Sequence, residues 1–218
     1  MEALVLNDQG NDKTVNILLD LVLKLFSLHL LFDMRQSSIV NMLLILNQTF
    51  IREFFSVFFN RSHYAVGAPK GKKAQGAVYI CHRCFTRNHD TSKDIVIKGG
   101  GVSYGSRFGQ ALAAVNITGK GADELVVGAP LHSENDDHDF GVVKVYQIIS
   151  NQRKAKEVAE LKPPQLTPGS RFGSAIENLG DIHNDDFEDF VVSAPYFGDD
   201  KTGAIFIYRG NVDFNFGK

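Results

Sequence analysis

The densest group of chemistry-bearing side chains in this sequence is "DIHNDDFED", residues 181–189. Asp181, Asp185 and Asp189 hold its first, fifth and ninth places. Three carboxylates gathered in so short a turn repel one another unless a cation neutralises them. Oxygen donors on a flexible loop suit Ca2+, which takes about six to eight carboxylate, carbonyl or water oxygens. The stretch is shorter than a helix-flanked EF-hand loop and runs directly into the apolar "FVVSAP". It therefore reads as a calcium loop between two strands, with a solvated acidic turn as the plain alternative.

Other candidate chemistry is sparser. The only two cysteines, Cys81 and Cys84, stand in "CHRC". A structural zinc site needs a second pair of ligands, and a redox pair wants a βαβ context; neither is evident. A small loop-closing disulfide is the favoured reading, with free thiols as the other. Asn47, Asn60 and Asn116 each open an Asn-x-Ser/Thr triplet, a pattern that accepts glycosylation. "KGGGVSYGSRFG", residues 98–109, is rich in glycine but lacks the Lys-Ser/Thr of a phosphate-binding loop. A net charge of −2 and one short basic turn, "KGKK", give no field for nucleic acid. The acidic run at residues 133–139 reads as solvated surface, with a second cation or a partner contact as the sharper alternative. No Ser/His/Asp or Cys/His spacing suggests catalysis.

The elements that position these residues divide into two unlike parts. Residues 1–61 are rich in Leu, Ile and Phe, poor in Gly and free of Pro. "VNILLDLVLKLFSLHLLF" within them is strongly apolar, yet Asp20, Lys24 and His29 interrupt it, which suits a membrane span poorly. Acidic residues stand where a signal peptide carries a basic region. The segment reads as helical, with buried helix, a stretch foreign to the domain behind it, and a membrane anchor as its three interpretations.

Beyond residue 61 the pattern changes to short β-branched runs punctuated by Gly and Pro. "VGAP" begins at Val66 and at Val127, and "VSAP" at Val192, so the motif recurs about every sixty residues. Each copy is followed by Gly and an alternating strand: "GAVYIC", "GVVKVYQI" and "GAIFIY". "GSRFG" precedes the second and third copies, at Gly105 and Gly169. Period-two alternation with Gly/Pro punctuation predicts antiparallel sheet, and four strands in about sixty residues make one propeller blade. The Phe of each "GSRFG", Phe108 and Phe172, is suited to burial between neighbouring blades. The Gly of "GAP" lets two backbones approach closely.

These motifs in combination resemble the FG-GAP repeats of integrin α subunits. The resemblance runs over about residues 64–211 and is strongest in "RFGSAIENLGDIHNDDFEDFVVSAPYFGDDKTGAIFIYRG" and "RFGQALAAVNITGKGADELVVGAPL". It implies an all-β fold: about two and a half blades of a seven-bladed propeller, preceded by the unrelated apolar segment. Residues 62–98 then form a partial blade, 99–162 a full blade and 163–211 most of a third, with 212–218 a truncated tail.

The resemblance also implies roles. Asp181, Asp185 and Asp189 supply carboxylate oxygens to Ca2+ and Phe187 a backbone carbonyl. His183 departs from the Asn or Asp usual at the third place, and a ring nitrogen is a poor Ca2+ ligand. Asp186 replaces the usual Gly at the sixth place, which predicts strain at the turn. The matching loop one blade earlier, "NITGKGADE", places Asn116, Thr118, Lys120 and Glu124 at the first, third, fifth and ninth places. Lys120 opposes a cation there and is expected to pair with Glu124 or Asp123, so this loop is predicted to bind no metal. The family further implies a cell-adhesion receptor on the extracellular side of the plasma membrane. It pairs with an integrin β subunit and binds matrix or cell-surface ligands, with the calcium loops on the propeller face away from the ligand. A propeller module of a phospholipase-like hydrolase, and a truncated non-functional product, are the alternatives; no reading makes this chain itself an enzyme.

Overall fold

The computed structural model describes residues 55–59, 63–71, 75–82, 94–134 and 138–216. The helical expectation for the apolar segment up to residue 54, and Asn47, Asn60 and Cys84, lie outside them. Among the described residues, eleven strands form three antiparallel sheets. The first is built from β1 (Phe55–Phe59), β2 (His63–Ala68), β3 (Ala77–His82) and β4 (Ile95–Lys98) in that order. The second is built from β5 (Ala111–Val115), β6 (Glu124–Ala129), β7 (Val142–Ile149) and β8 (Lys154–Leu161), and the third from β9 (Ile176–Gly180), β10 (Asp189–Ala194) and β11 (Ala204–Tyr208). The sheets are successive blades: their first strands, β1, β5 and β9, lie beside one another.

The first blade begins earlier than the repeat suggested. β1 falls inside the stretch read as a separate apolar segment ending at residue 61, and it pairs along its length with β2. "FSVFF" carries no Gly or Pro punctuation, and a short apolar run without it cannot be told from helix by period.

Two cores fill the seams. One joins Ala65, Val78 and Ile80 of the first blade to Leu125, Val127 and Tyr146 of the second. The other joins Val126, Val143 and Val145 of the second blade to Ile176, Phe190 and Phe206 of the third. Neighbours along β6 thus face opposite seams. All six of its residues are buried, which is why "ELVVGA" reads as a continuous run rather than an alternating one.

The "GSRFG" turns lock these seams through their Ser, Arg, Phe and closing Gly. Phe108 and Phe172 are fully buried, one in each seam. Ser106 donates its hydroxyl to the Gln75 carbonyl of the preceding blade, 3.3 Å away, and Ser170 repeats this with the Phe140 carbonyl at 2.8 Å. Arg107 and Arg171 take left-handed backbone, φ 57° and 54°. The closing glycine meets the "GAP" glycine of the preceding blade. A Cβ on Gly128 would lie 2.3 Å from the Gly173 carbonyl oxygen, and one on Gly67 would overlap the Gly109 carbonyl. The third copy of the motif has Ser193 here, whose hydroxyl accepts the Ala175 N–H at 2.9 Å.

At the outer edge of the second blade, Lys144 is buried between Glu157 and Glu160 of β8, 3.0 Å from each. Residues 212–216, read from sequence as a truncated tail, fold back on the second seam. Asn211 closes the turn by accepting the N–H groups of Asp213 and Asn215, and Phe216 sets its ring edge-on to Phe190 and Tyr208. On β3, Cys81 is buried and disulfide-bonded.

Candidate cation loop

The acidic stretch is the connection from β9 to β10: Asp181, His183, Asp185 and Phe187 lie on the loop and Asp189 opens β10. Its hydrogen bonds begin at the first Asp. The Asp181 carboxylate accepts the N–H of Asp185 at 3.1 Å and of Asp186 at 2.9 Å. The Asp185 N–H, and then that of Asp186, hold the Asp181 carboxyl below the ordinary carboxylate range. Asp185 in turn accepts the Phe187 N–H at 3.3 Å. Asn184 and Asp186 adopt left-handed backbone, φ 55° and 68°. Asn and Asp tolerate that region better than most residues, so Asp186 makes the turn normally left to Gly.

Asp189 lies at the start of β10 and is fully buried. It accepts the Gly210 N–H at 2.9 Å, and its second oxygen lies 2.7 Å from His183 Nδ1. An ionised carboxylate only accepts, so His183 donates from Nδ1. His183, the residue out of place for a calcium ligand set, is therefore the present partner of the last Asp. The donor set is otherwise hard oxygen, as Ca2+ requires. Among the described residues no group of three or more His, Cys, Asp or Glu side chains is gathered as a metal site. The loop has the chemistry for Ca2+, while Asp189 is engaged by His183.

The corresponding loop of the second blade, between β5 and β6, follows the same plan with different residues. Asn116 Oδ1 accepts the Gly121 N–H at 3.3 Å, as Asp181 accepts Asp186. Thr118 donates to Glu124 Oε1 at 3.3 Å, as His183 donates to Asp189. Glu124 is buried and also accepts the Ile117 N–H at 3.1 Å. Burial pushes its carboxyl above the ordinary value, against the lowering by these bonds. Lys120 is exposed, and Glu124 turns inward to Thr118 and Ile117, not to Lys120. The hydroxyl of the Asn116 triplet is thus the buried Thr118.

Three residues outside the spacing pattern complete the arrangement. Glu188 accepts the Asn116 N–H and the Asn178 side-chain amide, both at 2.8 Å. Asn178 also donates to the Ala114 carbonyl at 2.8 Å. A Cβ on Gly210 would lie 2.5 Å from the Glu188 carbonyl oxygen and 2.9 Å from that of Ile117. Glu188 stands at an even place of the loop, and its partners are remote in sequence, so no local signal marks it.

Comparison with known proteins decides the family. No family model matches the sequence. It is 39% identical to integrin alpha-4 of Xenopus laevis over 144 residues, 66% of this chain and 13% of the relative. It is 34% identical to integrin alpha-PS3 of Drosophila melanogaster over 161 residues, 72% of this chain and 14% of the relative. Integrin alpha-IIb of Homo sapiens matches at 33% over 160 residues, 71% and 14% respectively. These blades belong to the integrin α family. The integrin α relatives are adhesion-receptor subunits and not enzymes, and this replaces the hydrolase-module reading. The chain spans about one-seventh of the length of the integrin α relatives it matches. Among the described residues no helix is long and apolar enough to cross a membrane.

Proposed function

We propose that this segment serves an integrin-like α subunit as part of its propeller. It pairs with a β subunit on the extracellular side of the plasma membrane, and that pair binds matrix or cell-surface ligands. The observation that carries this reading is the pair of "GSRFG" seams, found in a chain whose relatives are integrin α subunits. Co-expression of the full-length subunit with an integrin β subunit, followed by co-purification, tests it. A stoichiometric complex is expected, and an α chain that reaches the cell surface without β overturns it.

We also propose that residues 181–189 hold Ca2+, through the carboxylates of Asp181, Asp185 and Asp189 and the Phe187 carbonyl, after His183 has turned away from Asp189. Bound Ca2+ supplies charge neutralisation among these acids. The protein's part is to fix the two ends of the loop. Asp181 is held by the Asp185 and Asp186 N–H groups, and Asp189 by the Gly210 N–H. The role is to stiffen the third blade and not to touch ligand. Thermal melts with Ca2+ and with chelator test it. Ca2+ is expected to raise the melting temperature of the wild-type chain but not of Asp189→Ala, and equal wild-type melts with and without Ca2+ refute it.

A further inference from the structure

The acidic loop does not end at its own blade. Glu188 lies between Phe187 and Asp189, two of the proposed ligands, and its side chain reaches across the seam to the second blade. One carboxylate oxygen takes the Asn116 N–H and the Asn178 amide together, each at 2.8 Å. Its own backbone N–H donates to the Asn116 carbonyl at 3.2 Å. Glu188 and Asn116 are thus bonded in both directions although far apart in sequence. Asn178 strengthens the tie from β9 by donating to Ala114 of β5. Beside them the tip of the second-blade loop nests against the acidic loop. A Cβ on Gly119 would lie 2.6 Å from the Asp186 carbonyl oxygen and 3.2 Å from the Phe187 ring.

From this geometry we infer that Glu188 is a positioning residue that couples Ca2+ occupancy of the third-blade loop to the loop of the second blade, residues 116–121. Successive side chains of extended backbone point to opposite sides. Glu188 grips Asn116 of the second blade while its neighbour Asp189 accepts the Gly210 N–H of its own. A shift of Phe187 or Asp189 on cation binding must move the residue between them, and that residue is anchored to Asn116. The second-blade loop holds no cation on this account; it is the support against which the third-blade loop is set. The inference rests on the proposal that residues 181–189 take Ca2+.

The test is residue-resolved amide hydrogen exchange on the full 218-residue chain, with Ca2+ and with chelator, in wild type, Glu188→Ala and Asn178→Ala. In wild type, Ca2+ is expected to slow exchange at Asp185 and Asp186 and also at Asn116. In Glu188→Ala the Asp185 and Asp186 protection should persist while the Asn116 response disappears. Asn178→Ala leaves the acidic loop itself intact and should reduce the Asn116 response in the same direction; it serves if Glu188→Ala does not fold. A purely structural tie would lower stability in both conditions and leave the Ca2+ response at Asn116 unchanged, which overturns the coupling while Ca2+ binding stands. Absence of any wild-type response at Asp185 and Asp186 overturns the Ca2+ site and the coupling with it.

Discussion

His183 holds Asp189 at 2.7 Å, from the third to the ninth place of its loop, as Thr118 holds Glu124 at 3.3 Å one blade earlier. The two loops keep one hydrogen-bond plan, and the residue at the third place decides what the buried carboxylate has to offer. In the second blade that place is taken by a short hydroxyl lying inside the fold. In the third it is taken by an imidazole 28% exposed, able to swing outward.

Replacing His183 by Asn removes the ring from Asp189 and adds an oxygen donor. His183→Asn is expected to bind Ca2+ on the order of tenfold more tightly, since affinity follows the number and charge of oxygen ligands. Calorimetric titration reads this directly; equal or weaker binding would show that His183 does not compete for Asp189.

Phe172 is fully buried and lies edge to face with Phe206 and Tyr208, at centroid distances of 5.5 Å and 6.3 Å. Truncation to Ala leaves a void in the middle of the second seam. Phe172→Ala should cost about 3–5 kcal/mol, measured by denaturant unfolding, with Phe108→Ala comparable in the first seam.

The "GAP" glycines make an asymmetric prediction. Gly128→Ser drives a side chain into the Gly173 backbone and should fall at the upper end of the ~1–3 kcal/mol typical of overpacking. Ser193→Gly, at the same place one blade on, loses only a bond at an exposed site and should cost about 1 kcal/mol. Equal losses in a pair of thermal melts would contradict the close approach of Gly128 and Gly173.

Glu124 gives a pH dependence of unusual sign for a carboxylate. Its folded pKa is raised above 4.5 by burial, so the folded state binds this proton more readily than the unfolded chain. Its contribution to stability is complete below the unfolded pKa and is lost as pH rises through the folded value. Glu124→Gln should flatten that part of the stability–pH profile. Thr118→Val, which removes a bond to the ionised form, should push the Glu124 titration higher still by NMR; a Glu124 midpoint at or below 4.5 would refute both.

Much of this could be read from the sequence because the chain repeats itself. Two copies of "GSRFG" aligned with the "GAP" motifs place Phe108 and Phe172 in the seams and pair Gly67 and Gly128 with the backbone that follows, since each copy meets the same surroundings. The same alignment placed both loops between first and second strands. It did not show β1, because "FSVFF" lacks punctuation. It did not show Glu188, Asn178 or Gly210, whose roles come from contacts across a seam and leave no trace in local spacing. Of the two partners expected for Lys120, Glu124 is engaged elsewhere for a related reason: the strand start turns that carboxylate inward, where Thr118 and Ile117 meet it.

The "GSRFG" turns have a consequence for the order in which the molecule can be made. Each seam is closed by a Phe and a Gly belonging to the later blade. On the ribosome, the first sheet emerges with its flank bare until Phe108 follows, and the second waits likewise for Phe172. Synthesis therefore leaves the later flank of each of these blades bare until the next "GSRFG" has emerged, and a pause between blades prolongs that exposure.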